Sequence, residues 1–203
     1  MAIGKGRAWG APAAMPDDGV VVRSDAEARA VVTEARRSGT PVPVIGLLGG
    51  DLCRTLGGRG DEGRLRSPEA MTLPCDLGSV LLDGHPQFFV AHLVARRAWW
   101  RGRAFVAMNA AWLGAWNLGP RAHPGDGLLD TYDARLPLGQ VLPVRARLPQ
   151  GAHLPHPAIT QRRAQAVEVD LGASLPLRLD GEVVGVARTL SLWAEPEALT
   201  VVV

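Results

Sequence analysis

Residues 165–203 constrain the fold most. Val167, Val169 and Leu171 alternate with Glu168 and Asp170, and Leu175, Leu177 and Leu179 repeat the two-residue period. That period buries one set of side chains and leaves the other in solvent, as a half-buried strand requires. Asp180-Gly181 then separates the run from a further apolar stretch, 183–193. Asp-Gly is a pair favoured by two-residue hairpin turns, whose backbone needs positive φ. Further candidate strands lie at 75–82, 87–91, 104–110, 128–136, 141–147 and 199–203, with a second turn signal at Asp83-Gly84. Short strands at this spacing predict a sandwich or a strongly curled antiparallel sheet.

The N-terminal part has a different rhythm. Residues 1–19 are rich in Gly, Ala and Pro and read as irregular. Val20-Val21-Val22 reads as a short buried strand. Ser24 and Glu27 have capping-box spacing ahead of a helix that runs to about Ser38, with Ala28, Val31, Val32 and Ala35 on one face. Val42 to Leu48 reads as a second strand, followed by Gly49-Gly50-Asp51 and a short helix over Leu52–Leu56. This is a β-α-β unit with parallel strands. The predicted class is therefore α/β + β: a short β-α-β remnant over 20–70, then a larger antiparallel, sandwich-like β domain over 71–203.

Composition narrows the function. The net charge is +2, which gives no reason to expect a nucleic-acid partner. Lys5 is the one lysine among 22 basic residues, so a phosphate-binding lysine within a folded segment is not expected. Cys53 and Cys75 lack C-x-x-C spacing and read as reduced thiols of a cytoplasmic protein. The N-terminus has no continuous apolar stretch of the signal-peptide kind, and no apolar run approaches the roughly 18 residues of a membrane span.

Three acidic turns carry the candidate chemistry. Asp126, in Pro124-Gly125-Asp126-Gly127, suits either a turn whose carboxylate caps N–H groups or a hard-cation site completed by carbonyls. Asp180-Gly181 is a hairpin turn, and Glu182 beyond it points either to solvent or to a cleft. Gly49-Gly50-Asp51 lies where a parallel strand opens into a helix, a place where α/β folds bind ligands. Asp51 there is either an N-cap or an acid that works with a metal. Arginines and tryptophans cluster over 95–103. Trp99, Trp100 and Arg101 suit core packing beneath arginine stems or a surface that meets anionic lipid headgroups. His153 and His156 have H-x-x-H spacing but no third ligand nearby in sequence, and Trp112 and Trp116 read as core.

The order of these motifs resembles the diacylglycerol kinase and sphingosine kinase family, in its bacterial lipid-kinase branch, from about residue 40 onward. Residues 44–58, VIGLLGGDLCRTLGG, resemble the family stretch L-P-x-G-T-x-N-D-x-A-R-x-L-G. Residues 116–136 resemble P-x-A-x-x-D-D-G-x-L-D, Gly151-Ala152-His153 resembles Gly-x-His, 175–184 resemble the D-G-E turn, and 195–203 resemble the closing strand. The resemblance implies a nucleotide-binding α/β domain, a β-rich domain and an active site between them. It implies ATP and Mg²⁺ as cofactors and a lipid hydroxyl as phosphoryl acceptor. Asp51 would act as base or with the metal, and Glu182 would join it in catalysis. Gly49, Gly50, Asp25 and Asp180 would line the nucleotide, and Asp126 would help to hold a structural Mg²⁺. A lipid or membrane surface is the implied partner, with a peripheral membrane location, and a homodimer is a further reading.

The departures point elsewhere. The family's nucleotide loop, G-G-D-G-T, falls on Val22-Arg23-Ser24-Asp25-Ala26-Glu27, where Asp25 stays in register and every glycine is gone. Glycines let a backbone approach phosphates closely. Thr and Asn are also missing before Asp51. Three readings follow: a divergent lipid kinase, a pseudokinase-like module that binds a lipid or metabolite, and an assembly partner completed by a second chain.

Overall fold

The computed structural model describes residues 9–82, 84–98 and 102–203. The elements run β1 (Ala11–Pro12), β2 (Val20–Val22), α1 (Asp25–Ser38), β3 (Ile45–Leu47), α2 (Gly50–Thr55), α3 (Glu62–Leu65), β4 (Met71–Leu82), β5 (His85–Phe89) and β6 (His92–Arg96). They continue with β7 (Ala104–Met108), β8 (Leu129–Ala134), α4 (Leu138–Arg147), β9 (Ile159–Ala164), β10 (Ala166–Leu179) and β11 (Glu182–Val202).

Ser24 caps α1 as expected, and Glu27 reaches back, though to the N–H of Arg23, one residue before the cap. Glu27 N–H donates to Ser24 Oγ, and Arg23 N–H donates back to Glu27 Oε2 at 2.7 Å. Gly39 ends α1 in the left-handed conformation. Ala28, Val32 and Ala35 are buried, and β2 and β3 pair in parallel with Val20 opposite Ile45. The β-α-β unit is therefore present. It is also hydrogen-bonded to the rest of the fold, because β3 pairs in parallel with the end of β11, Val201 opposite Ile45.

The remainder is an antiparallel sheet ordered β1-β4-β11-β10-β6-β7-β8-β9, with β5 on β4. This is the expected β-rich class. The Asp180-Gly181 hairpin has two loop residues, with φ of 50° and 89°, and pairs Leu179 with Glu182. The strands expected at 165–171 and 175–180 are one strand, β10, with an irregularity between Asp170 and Leu175. Those at 183–193 and 199–203 are likewise one, β11, irregular between Glu195 and Leu199. Leu82 pairs with His85 across the other expected turn, whose Asp83 lies outside the described residues.

One strand expectation is wrong. Residues 141–147 belong to helix α4. Val141, Leu142 and Val144 look strand-like, yet Val144 and Leu148 are the buried pair, and their spacing of four is helical. β9 was not foreseen, because Ile-Thr-Gln-Arg-Arg-Ala is polar and alternates weakly in burial.

One apolar cluster joins α1, β3, α2 and β4 with the end of β11, through Val32, Ile45, Leu52, Leu77 and Val201. Another fills the β domain, through Phe89, Leu93, Phe105, Leu129, Leu177 and Leu190. Cys53 and Cys75 are buried free thiols. Among the described residues no helix is long and apolar enough to cross a membrane.

Candidate functional site

The α/β unit meets the β domain at a group of buried ionisable side chains. Asp25, the first residue of α1, points at the start of α2, where its carboxylate accepts from the N–H groups of Asp51 (2.5 Å) and Leu52 (3.1 Å). Gly50 makes this approach possible. A Cβ there would lie 2.5–2.8 Å from the Asp25 carboxyl atoms, and its φ of +96° suits glycine. Asp51 in turn accepts from Gly114 N–H, and its Oδ2 lies 3.0 Å from His92 Nε2. Thr55 and Arg54, one turn of helix further on, fasten the same loop: Ala111 N–H donates to Thr55 Oγ1, and Arg54 donates to Gly114 O while lying over the Trp112 ring.

His92 opens β6, and its imidazole is buried, with no hydrogen-bond partner on Nδ1 among the described residues. Asp180 closes the group from the β10–β11 turn, accepting from the N–H groups of Val90, Ala91 and His92 at 2.9–3.1 Å. Three carboxylates thus surround one imidazole in a low-dielectric setting. Burial pushes the Asp180 carboxyl up to about 6, opposed by His92 and the N–H groups. Burial also raises Asp25, against its two N–H bonds. Burial works against the Asp51 charge as well, but His92 and Gly114 hold its carboxyl below the ordinary range. Burial disfavours imidazolium at His92, yet Asp51, Asp180 and Asp25 together raise it. The arrangement describes an Asp51–His92 ion pair beside a carboxyl that protonates in mild acid.

Asp25, Asp51 and His92 each place one ligating atom within 4.8 Å of the others, and they are the one such group among the described residues. Each atom set also has partners within the chain: backbone N–H groups for Asp25, Gly114 and His92 for Asp51. His153 and His156 join no such group among the described residues.

The structure therefore brings Gly49, Gly50, Asp25, Asp51 and Asp180 to one junction. Glu182 stands apart: its side chain is 62% exposed and pairs with Arg29 of α1. Asp126 also stands apart. Its Oδ1 accepts from Leu128 N–H at 3.0 Å, and its Oδ2 pairs with Arg163 of β9. The proposed membrane residues Trp99, Trp100 and Arg101 lie outside the described residues.

Sequence reasoning missed His92, Asp76 and Arg163. Asp76 is fully buried and pins the Asp126 turn, accepting from Gly127 N–H (2.6 Å) and Glu197 N–H (3.0 Å). Its own N–H donates to Pro124 O. His92 in FFVAHLVA and Asp76 in LPCDLG are lone polar residues inside apolar strands. That pattern is a readable signal, because a buried polar group must find partners. Arg163 carries no such signal among its neighbouring arginine and polar residues.

An apolar cleft lies between α4 and the sheet, lined by Val106, Leu118, Tyr132, Val144, Leu148 and Ile159 among others. Arg145 also lines it, with its guanidinium 5.3 Å from the Trp116 ring. On its outer side α4 exposes Leu138 (71%) and Leu142 (74%), one helical turn apart. From Ala134 to Val167 the chain has no acidic residue and five arginines: Arg135, Arg145, Arg147, Arg162 and Arg163.

Residues 80–203, more than half of the chain, match the family described as YegS C-terminal NAD kinase beta sandwich-like domain. Solved structures from Bacillus anthracis str. Sterne share the fold. A candidate diacylglycerol kinase superimposes with a TM-score of 0.70 at 13% identity, covering 91% of this chain and 77% of that one. A structure described as a diacylglycerol kinase gives 0.58 at 13% identity, covering 79% and 68%. No curated protein matches the sequence.

Proposed function

The chain belongs to the YegS family through its C-terminal NAD kinase β-sandwich-like domain, and from that footing we propose that it is a lipid-kinase-like protein that binds a lipid without transferring phosphate from ATP. The observation that carries this reading is the Asp25 carboxylate on the N–H groups of Asp51 and Leu52. Backbone N–H groups beside glycines are what a phosphate would use. Here an internal anion already holds them, and Asp51 and Asp180 add negative charge close by. The other candidate cradle, at the start of α1, is closed by Ser24 and Glu27. The residues present thus do not fit the phosphates of ATP. Phosphoryl transfer depends on positioning and charge stabilisation, so a site lacking its phosphate cradle loses most of that capacity.

The lipid half of the reading rests on the C-terminal domain. The cleft beneath α4 offers apolar walls with the Arg145 cation at hand. That combination suits a chain with an anionic or strongly polar head. Leu138 and Leu142 on the exposed side of α4, within an acid-free and arginine-bearing segment, suit an anionic bilayer surface. Near such a surface each basic residue contributes about 1 kcal/mol. The same features support a peripheral membrane location.

The Asp51–His92 pair favours a second reading, an active kinase, since it is an acid–base couple at the position that the family resemblance gives to catalysis. Two measurements separate the readings. Calorimetry with ATP and Mg²⁺ is expected to show no saturable binding at millimolar nucleotide. Co-sedimentation with phosphatidylglycerol vesicles is expected to show binding, weakened roughly tenfold in a Leu138→Gln/Leu142→Gln variant, about what losing two partly inserted side chains implies. Saturable ATP binding that disappears in Asp51→Asn would overturn the proposal in favour of the kinase.

A further inference from the structure

The resemblance that led to Asp126 implies a divalent cation there, and the turn can be tested for its fit to one. A hard cation needs six or more oxygens free to coordinate it. Asp126 Oδ1 is engaged by Leu128 N–H, and Oδ2 by the Arg163 guanidinium. Asp130, almost fully buried on β8, receives Gln161 Nε2 on Oδ1 at 3.3 Å, while its Oδ2, which takes no hydrogen bond among the described residues, faces the positive Arg163 Nε at 3.5 Å. Two nearby carbonyls accept bonds as well: His123 O from Gly125 and Asp126 N–H, and Pro124 O from Asp76 N–H. A dication touching both carboxylates would have to lie against a guanidinium. The residues present do not fit a metal ion.

We propose that Arg163 is the resident cation of this turn, its guanidinium doing for Asp126 and Asp130 what a divalent ion would otherwise do. The register supports it, because Arg163 stands directly opposite Asp130 in the β8–β9 ladder, so the backbone delivers the guanidinium to the pair. The guanidinium spans both acids: a terminal nitrogen bonds Asp126 Oδ2, and Nε stands 3.5 Å from Asp130 Oδ2 as an ion pair, a reach that suits a planar guanidinium. Asp126 and Asp130 face Arg163, and Arg121 adds a second positive charge near Asp130. The loop is thereby anchored from both sides, by Asp76 on β4 and Arg163 on β9.

The test is the metal dependence of stability. Purified wild-type protein is expected to contain well under one divalent ion per chain. Its melting temperature is expected not to move on treatment with EDTA or on addition of millimolar MgCl₂ or CaCl₂ at matched ionic strength. Arg163→Ala is expected to melt roughly 2–6 °C lower and to regain part of the loss when Mg²⁺ or Ca²⁺ is added, with the gain absent in Arg163→Ala/Asp126→Asn. A stoichiometric ion in the wild type, or a melting temperature that falls on chelation, overturns the proposal. An Arg163→Ala variant indifferent to both ions overturns it as well. Should Arg163→Ala fail to fold, the ion content and chelation response of the wild type still decide.

Discussion

The junction around Asp51 and the turn around Asp126 are both rich in carboxylates, and they neutralise them with different partners. At the junction, Asp25, Asp51 and Asp180 are held by backbone N–H groups and one imidazole. At the turn, Asp126 and Asp130 are held chiefly by one guanidinium. Backbone dipoles are fixed by the fold and add no net charge, so the junction keeps excess negative charge and titrates. A guanidinium supplies a full positive charge but sits on a long, partly exposed side chain, so the turn is nearer neutrality and more open to salt. An acidic residue retained in a family motif is therefore no guide to a ligand until its partners are known.

This difference has measurable consequences. The largest is expected at Asp180, whose truncation strands the buried N–H groups of Val90, Ala91 and His92. Asp180→Ala should cost on the order of 4 kcal/mol in urea unfolding. The same carboxyl should write a pH dependence. Its folded value of about 6 lies above the ordinary 3.8, so the native state binds more protons than the unfolded chain between those values. Stability is then expected to fall as pH rises through that window. His92, raised above its ordinary value, extends the decline upward in pH. Asp180→Asn should flatten the lower part of the profile, and an unchanged slope would show that the junction does not titrate as described.

Asp76→Ala comes next, at about 3 kcal/mol, because two N–H groups lose their acceptor at a fully buried site. Asp126→Ala should cost less, since its side chain is closer to solvent. Equal costs for the two would mean that the guanidinium holds the turn as firmly as the backbone bonds do. Gly50→Ala should cost about 2 kcal/mol, combining positive φ with crowding of the Asp25 carboxylate. The smallest effect is expected at Glu182, whose carboxylate is 62% exposed although its partner Arg29 is only 13% exposed, and its removal should change stability by about 1 kcal/mol. A loss of several kcal/mol in Glu182→Gln would place that residue within the junction after all.

Much of the fold was legible because its signals are local. The Ser24–Glu27 cap, the Asp180-Gly181 turn and the alternation of Val167, Val169 and Leu171 depend on neighbours a few residues away. α4 was misread because Val141, Leu142 and Val144 have the composition of a strand, and only packing against the sheet selects the helix. At the site, Asp25, Asp51 and Asp180 were legible as motif positions, but their states were not. Asp25 faces N–H groups 26 residues on, and Asp180 faces a strand start about 90 residues back. His92 and Arg163 gained their meaning entirely from such distant pairings. No periodicity in the chain encodes which acid meets which base.

β11 pairs with β4 and β10 along its length and with β3 at its end. Val201 lies between Leu73 and Ile45, both made far earlier during synthesis. The parallel strand β3 therefore has one neighbour, β2, until β11 emerges, and the first-made unit waits for the late strand to close its sheet. Such long-range pairing slows folding and leaves an open edge in the interval. During synthesis the edge of β3 would stay open for longer than in a protein whose early unit closes by itself.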